Sequence, residues 1–306
     1  MHGFKPLDFL PQTRYEGQLT PMPFAKLASD LIPEHIEETW TLESSWAGRA
    51  AGRRYHDIHL STIHEHETAT PIFQRWLGQG GMRILESGCG TGRWMAYFEQ
   101  LGNRPFGVDH SLEQLRFAKD HAPQFRLCGG DVLATPFKDS SFDAVFSSYV
   151  AEHFTDGPGR VLAEAWRVLR PGGLLFVVVP FANPWRRLVV HPLFRLIYAL
   201  FPFIYRLWRR RRARLRFTEY HFRRAEIERA VRSSGFDVLE CHPDDYRPPW
   251  TKGLYCDVCD ILGFVNYELR RPFRFGRLGT LLVGLAGHLP LWWYCEGIFV
   301  VARCRK

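Results

Sequence analysis

Short apolar runs recur through the middle of the chain, separated by stretches whose apolar positions repeat at helical spacing. Met82, Ile84 and Leu85 lead into Glu86 and a turn with glycines at 88, 90 and 92. RWMAYFEQLG follows with a helical pattern. Together they read as strand, tight glycine turn and helix, the opening unit of an α/β sheet built to hold a nucleotide-type ligand. The alternation then continues. Pro105–Asp109 predicts a second strand ending in an acid, and a helical run (LEQLRFAKDH) follows with Ser111 as its N-cap. Gln124–Cys128 predicts a third strand and Phe142–Ser147 a fourth. A helix over Arg160–Leu169 and a Pro-Gly-Gly turn lead to Leu174–Val179, whose continuous apolar character fits a strand covered on both faces. Later, Phe222–Ser234 predicts a helix, Gly235–Leu239 a sixth strand, and Ile298–Arg303 a terminal strand.

Two stretches break this rhythm, at about 181–217 and 246–294, and read as insertions into one domain spanning residues 71–306. Before that domain, residues 1–70 are broken by early prolines and then allow helices. They predict an N-terminal helical extension covering the ligand edge.

Composition changes this picture in two places. The chain has 306 residues, of which 46% are hydrophobic and 24% charged, enough for one large domain with insertions. Aromatic residues reach 15%, with ten Trp, which points to apolar surface or a greasy pocket beyond a minimal core. The net charge of +8 is local. Seven arginines between Arg206 and Arg216 account for most of it, and no carboxylate occurs from Ala165 to Thr218. Leu196–Tyr205 is apolar but too short to cross a hydrocarbon core, which needs roughly 20 residues. Flanked by arginine and aromatic side chains, Leu188–Arg216 fits an anionic membrane surface better than nucleic acid. No apolar leader is apparent. Seven cysteines outside a small secreted frame argue for a reducing, cytoplasmic setting. His56, His59, His64 and His66 lack helical ligand spacing, and Cys256 and Cys259 lack a second pair, so no metal site is expected.

The glycine spacing is informative. A dinucleotide fingerprint needs a small residue where this chain has Arg93. Asp109 lies 17 residues past Gly92, near the roughly 20-residue interval at which a ribose-binding acid is expected. Glu86-x-Gly-Cys-Gly-Thr-Gly resembles motif I of the class I S-adenosylmethionine (SAM) methyltransferases. The segment TPFKDSSFDAVFSS and the string AEAWRVLRPGGLLFVVVP are similar to later elements of the ubiquinone and menaquinone methyltransferase subgroup. The resemblance runs from about Met82 to Pro180. It implies a Rossmann-like seven-stranded sheet with helices on both faces and an antiparallel last strand, and SAM as cofactor. It also implies cofactor contacts at Glu86, Gly88, Gly90, Gly92, Asp109, His110, Asp131, Val132 and Ser147. Within that set, Glu86 and the turn hold the methionine end, Asp109 the ribose and Asp131 the adenine.

At the end of the fourth strand, Tyr149 and His153 face the acceptor under the same resemblance, with His153 as general base. The expected activity is methyl transfer to an O, N or C atom of a small, lipophilic acceptor by a protein peripheral at the inner face of a membrane. Two rival readings are an RNA or DNA methyltransferase using the Arg206–Arg216 patch, and a non-catalytic scaffold of the same fold. SSYV stands where nucleobase amino methyltransferases carry Asn/Asp-Pro-Pro-aromatic, and the intact turn and acids disfavour the scaffold.

Overall fold

The computed structural model describes residues 24–29, 68–209, 215–244, 285 and 288–306. Seven strands form one sheet: β2 (Arg83–Ser87), β3 (Arg104–Asp109), β4 (Arg126–Gly129), β5 (Phe142–Ser148), β6 (Leu169–Pro180), β8 (Phe236–Asp244) and β9 (Gly297–Cys304). Their spatial order is β4-β3-β2-β5-β6-β9-β8. Strands β2 to β6 pair in parallel, and β9 runs antiparallel to both β6 and β8. The expected antiparallel last strand is therefore present, inserted between β6 and β8.

The continuous apolar strands hide a period of two. Along β6, Leu174, Phe176 and Val178 enter one packed layer, while Leu175, Val177 and Val179 enter the other. Ala144 and Phe146 of β5 share the first layer and Val145 the second, and Phe299 and Val300 of β9 divide likewise. Successive side chains point to opposite faces, so each face needs its own helical cover. Helices α4 (Gly159–Val168) and α6 (Arg224–Ser233) seal one face through Val161, Leu162, Ile227 and Val231. Helices α1 (Thr70–Leu77) and α2 (Arg93–Gln100) seal the other with Phe73, Trp94 and Phe98. Between β3 and β4 lies α3 (Leu112–His121), capped by Ser111 as expected: its hydroxyl accepts the Gln114 N–H.

Outside the main sheet, β1 (Phe24–Ser29) and β7 (Leu215–His221) pair antiparallel, with Phe24 opposite His221. Within the N-terminal extension expected to be helical, residues 24–29 are thus a strand, and Thr70 begins α1. FAKLAS lacks a clean period-two alternation and finds its partner nearly two hundred residues away, which no local pattern reveals. The rest of that extension up to residue 67, including His56, His59, His64 and His66, lies outside the described residues. So do Cys256, Cys259 and nearly all of the second insertion. The first insertion forms a π-turn (Arg186–Val190) and a 19-residue helix, α5 (His191–Arg209), before β7.

Phe73 is the keystone of one layer. It is fully buried, with ring centroids of Trp94, Phe98 and Phe146 each 5.0 Å away and those of Phe176 and Phe299 at 5.2 and 5.3 Å. Truncating such a ring loses transfer free energy and leaves a cavity that five aromatics cannot refill. Phe73→Ala is expected to destabilise the fold by about 3–5 kcal/mol in urea unfolding, and a loss under about 1 kcal/mol would contradict this packing.

Candidate functional site

The sheet order sets the carboxyl ends of β4, β3, β2 and β5 side by side, and ligands of open parallel sheets lie beyond such ends. At the tip of β2 the chain turns through Gly88, Gly90 and Gly92, at φ of 80°, 51° and 75°. Side chains rarely adopt these values, so the sequence needs glycine there. Space demands it too: a Cβ on Gly88 would lie 2.4 Å from Val150 Cγ2, and one on Gly90 2.7 Å from Gln114 Oε1. The Gly88 and Cys89 N–H groups both donate to the Val108 carbonyl, at 2.9 and 3.0 Å, which pins the turn to β3.

Asp109 completes that join. Its Oδ2 accepts the Gly90 N–H at 2.8 Å and its Oδ1 the Ser111 N–H at 2.8 Å. One buried carboxylate thus holds the glycine turn and the start of α3, leaving a further lone pair on each oxygen. His110 lies beside it, with Nδ1 3.4 Å from Oδ1 and a largely exposed ring. Asp131 stands at the neighbouring tip. Gly129 is the register partner of Asp109, and the Gly130 N–H donates to the Asp109 carbonyl at 3.0 Å. The Asp131 side chain is exposed and accepts the Leu133 N–H at 2.8 Å, which shapes its own loop. Val132 is half-buried and packs against the main core.

Glu86 is buried, one residue from the end of β2. Burial pushes its carboxyl well above the ordinary value of 4.5; the Met95 N–H opposes this, Asp109 adds to it and Arg93 lowers it. Its Oε2 is buried with no hydrogen-bond partner. The Ser147 hydroxyl at the end of β5 is likewise buried and unpartnered. Unsatisfied buried groups beside a glycine cradle suit a ligand that brings a cationic end and further hydrogen-bonding atoms. Burial, reinforced by the fields of Glu86 and Asp109, also raises the Cys89 thiol, which makes it an inert packing group.

Beyond β5 the chain bends sharply. Tyr149 has φ of 53°, and its N–H donates to the Val178 carbonyl. Its hydroxyl approaches Gly297 so closely that a Cβ there would be 2.5 Å away. A single 3-10 turn, Ala151–His153, follows. The His153 Nδ1–H donates to the Thr218 carbonyl of β7 at 2.9 Å, and its Nε2 lies 3.6 Å from Glu152 Oε1. Through this bond β7 is tied to the turn that follows β5.

Several groups here were not singled out from sequence. Glu152 is fully buried. Arg186, 1% exposed, pairs with Glu296 at 2.9 Å and donates to the carbonyls of Phe181 and Glu296. A chain of contacts runs from Glu219 Oε1 to His221 at 3.2 Å and on to His191 at 3.1 Å, with Phe24 stacked on His191. A Glu-His dipeptide just past a strand end was the available signal for Glu152. The others depend on long-range packing.

Glu86 also sets a pH dependence. A carboxyl whose folded value exceeds its unfolded value costs stability as pH rises from about 4.5 through the raised value. Glu86→Gln should therefore melt at a higher temperature than the wild type near pH 8, with the difference vanishing near pH 4. Equal melting at both pH values would contradict the buried, unpaired carboxyl.

Comparison with known proteins agrees with this geometry. Residues 85–177 match the family described as "Methyltransferase domain". The chain is 35% identical over 95 residues to a malonyl-[acyl-carrier protein] O-methyltransferase of Pectobacterium atrosepticum, covering 31% of this chain and 37% of that protein. It is 38% identical over 104 residues to a demethylmenaquinone methyltransferase of Renibacterium salmoninarum, covering 34% and 43%. The chain thus spans about two fifths of the length of these curated relatives. Among solved structures, a SAM-dependent methyltransferase of Methanosarcina mazei is similar with a TM-score of 0.50 at 18% identity, covering 76% of this chain and 97% of that one. The geranyl diphosphate C-methyltransferase of Streptomyces coelicolor A3(2), solved with S-adenosyl-L-homocysteine, also scores 0.50 at 18% identity, covering 83% and 82%. These two likenesses concern the fold. Residues 85–177 therefore match a methyltransferase domain, and the glycine turn at the tip of β2 lies within that match.

Proposed function

We propose that this chain moves a methyl group from SAM to a small, lipophilic acceptor at the cytoplasmic face of an anionic membrane. The observation that carries the reading is the Asp109 carboxylate bound to the N–H groups of Gly90 and Ser111, which joins a glycine cradle and an acid at one cleft. When bound, SAM supplies a methyl group on a sulfonium centre that departs as a neutral thioether.

The chain's own residues have three tasks. Glu86 offers a buried, unpartnered oxygen to the ammonium of the methionine end, and Gly88, Gly90 and Gly92 let the backbone approach it. Asp109, with His110 beside it, takes the ribose hydroxyls on its remaining lone pairs. Asp131 takes the adenine amino group, with Val132 and Ser147 lining the same cleft. On the acceptor side, Tyr149 and His153 orient the nucleophile and exclude water. Alignment and water exclusion account for much of the acceleration of such a displacement without a strong base.

The acceptor class rests on the surface of the first insertion. Val189, Leu193, Leu196 and Leu200 recur at helical spacing along the π-turn and α5, and all are exposed, as is Leu188 at 69%. Arg187 and Arg195 border this stripe, and the arginines up to Arg216 continue it in sequence. No helix among the described residues is long and apolar enough to cross a membrane. An apolar stripe with arginines and no acids fits the headgroup boundary of an anionic bilayer, where lipophilic acceptors reside.

Calorimetry with S-adenosyl-L-homocysteine tests the cofactor site. Wild type is expected to bind, and Asp109→Ala to lose at least about tenfold in affinity, roughly 1.4 kcal/mol. Absence of binding, or an unchanged affinity in the variant, would overturn the assignment. For the surface, sedimentation with phosphatidylglycerol vesicles should capture wild type at low salt and lose it in Leu193→Glu/Leu196→Glu. Equal capture of both proteins, or release of the wild type by added RNA, would contradict membrane docking.

A further inference from the structure

Large apolar side chains left in solvent are concentrated in the two insertions. Of the twelve exposed among the described residues, five lie on the π-turn and α5. Four more close the second insertion: Leu285, Leu289, Leu291 and Trp293, exposed at 58, 46, 37 and 43%. Single exposed leucines are ordinary on a protein surface, but such crowding into two short segments marks a contact surface. Leu291 and Trp293 stand on a 3-10 turn just ahead of β9. Trp292, between them, packs on Phe181 with ring centroids 5.4 Å apart and carries the Arg224 guanidinium at 5.6 Å. The turn is thus seated by its middle residue, and the apolar residues on either side are left to solvent.

The two insertions are fastened together at their bases. Asn183, at the start of the first, donates through Nδ2 to the Cys295 carbonyl at 3.0 Å, and its Oδ1 accepts the Arg186 N–H. Arg186 reaches the end of the second, where it pairs with Glu296 and donates to the Glu296 carbonyl. A buried, paired guanidinium fixes geometry, since removing either partner strands a charge away from water. Leu188 is two residues from Arg186 and Trp293 three from Glu296. A reach of at most ~3.6 Å per residue keeps the exposed groups of both insertions around this one joint. Cations border it: Arg187 from the π-turn acts with Arg223 on Glu226, and Arg223 and Arg224 at the start of α6 are more than half exposed. The acids nearby are taken up, Glu226 largely covered beside Arg223, Glu228 bonded to Arg224 and Glu296 to Arg186. In sequence the second insertion also repeats the first, with Arg270, Arg271, Arg274 and Arg277 and no carboxylate over residues 269–295.

We infer that the two insertions form one docking surface for an anionic lipid bilayer, with Leu291 and Trp293 as a second anchor beside the apolar stripe of α5. The inference rests on the membrane reading above and adds to it a contact point from a distant part of the chain. Leucine and tryptophan bury their apolar bodies at the acyl boundary and leave the indole N–H among the headgroups, while arginines meet the lipid phosphates. Two acid-free, arginine-bearing segments select an anionic surface over a zwitterionic one. Because one joint carries both contacts, the first to engage raises the effective concentration of the second. The joint also sets the orientation of the molecule. Gly297 follows Glu296 and is closely approached by the Tyr149 hydroxyl, so a bilayer seated on the joint lies next to a residue read above as acceptor-facing.

Sedimentation of the full chain with vesicles tests this, using mixed phosphatidylglycerol–phosphatidylcholine vesicles and pure phosphatidylcholine ones. Wild type should partition onto the mixed vesicles and stay free of the pure ones. Leu291→Glu/Trp293→Glu should lower the partition coefficient at least about tenfold, since two apolar anchors are kept out of the lipid. Both side chains are exposed, so this variant should melt as the wild type does. A milder change gives an independent reading: brominated lipids in the mixed vesicles should quench the fluorescence of wild type more than that of Trp293→Phe. If Leu291→Glu/Trp293→Glu sediments like the wild type while Leu193→Glu/Leu196→Glu stays free, membrane attachment stands and the second anchor is overturned. Equal quenching of wild type and Trp293→Phe overturns it as well. If the wild type does not sediment with either vesicle, the membrane reading falls and this inference with it. Self-association of the wild type without lipid, lost in Leu291→Glu/Trp293→Glu, would give the surface to a second copy of the chain and overturn the lipid assignment.

Discussion

The site depends on one carboxylate shared between two strand tips. Asp109 accepts the Gly90 N–H on one oxygen and the Ser111 N–H on the other, so the turn after β2 cannot move relative to the end of β3. Charge-assisted hydrogen bonds of this kind are roughly twice as strong as neutral ones, and both lie in a buried setting. The same contact fixes the helix start at Ser111 and leaves acceptor capacity facing the cleft. Three left-handed glycines make the join possible, because a side chain at Gly88 or Gly90 would strike Val150 or Gln114.

Around that join the molecule concentrates its unfavourable electrostatics. Glu86 and Glu152 are both buried and raised, and Glu86 Oε2 lacks a hydrogen-bond partner. Some charged groups elsewhere are better served. Glu164, for example, accepts hydrogen bonds from Arg167 and Thr135, and these hold its carboxyl below the usual range despite the opposing effect of burial. The contrast between Glu86 and Glu164 shows how partners, rather than burial alone, set where a carboxyl sits. The stability lost at the tips is offset by layers such as the aromatic cluster around Phe73.

Much of this was legible in the sequence, for local reasons. The glycine turn, the acid at Asp109 and the strand and helix runs from Met82 to Pro180 each follow from short-range pattern, and the strand bounds shift by only a few residues. Ser111 as cap is a purely local property. What stayed hidden depends on contacts between distant parts of the chain. The β1–β7 ribbon pairs residues nearly two hundred positions apart, and neither FAKLAS nor LRFTEYH announces a partner. Asp131 looked like a ligand from its place past a strand end, yet its carboxylate also closes its own loop on Leu133. Glu152 drew no notice beside His153, because what marks it is full burial, and only packing between distant segments creates that.

The central claim is that the tips of β2, β3 and β5 form one cleft for a sulfonium nucleoside. A crystal structure of the chain with S-adenosyl-L-homocysteine tests it most directly. The account predicts the amino-acid end of that ligand against Glu86 and the Gly88–Gly92 turn and its ribose on Asp109. A ligand bound away from that turn, with Asp109 making only its two backbone contacts, would contradict it.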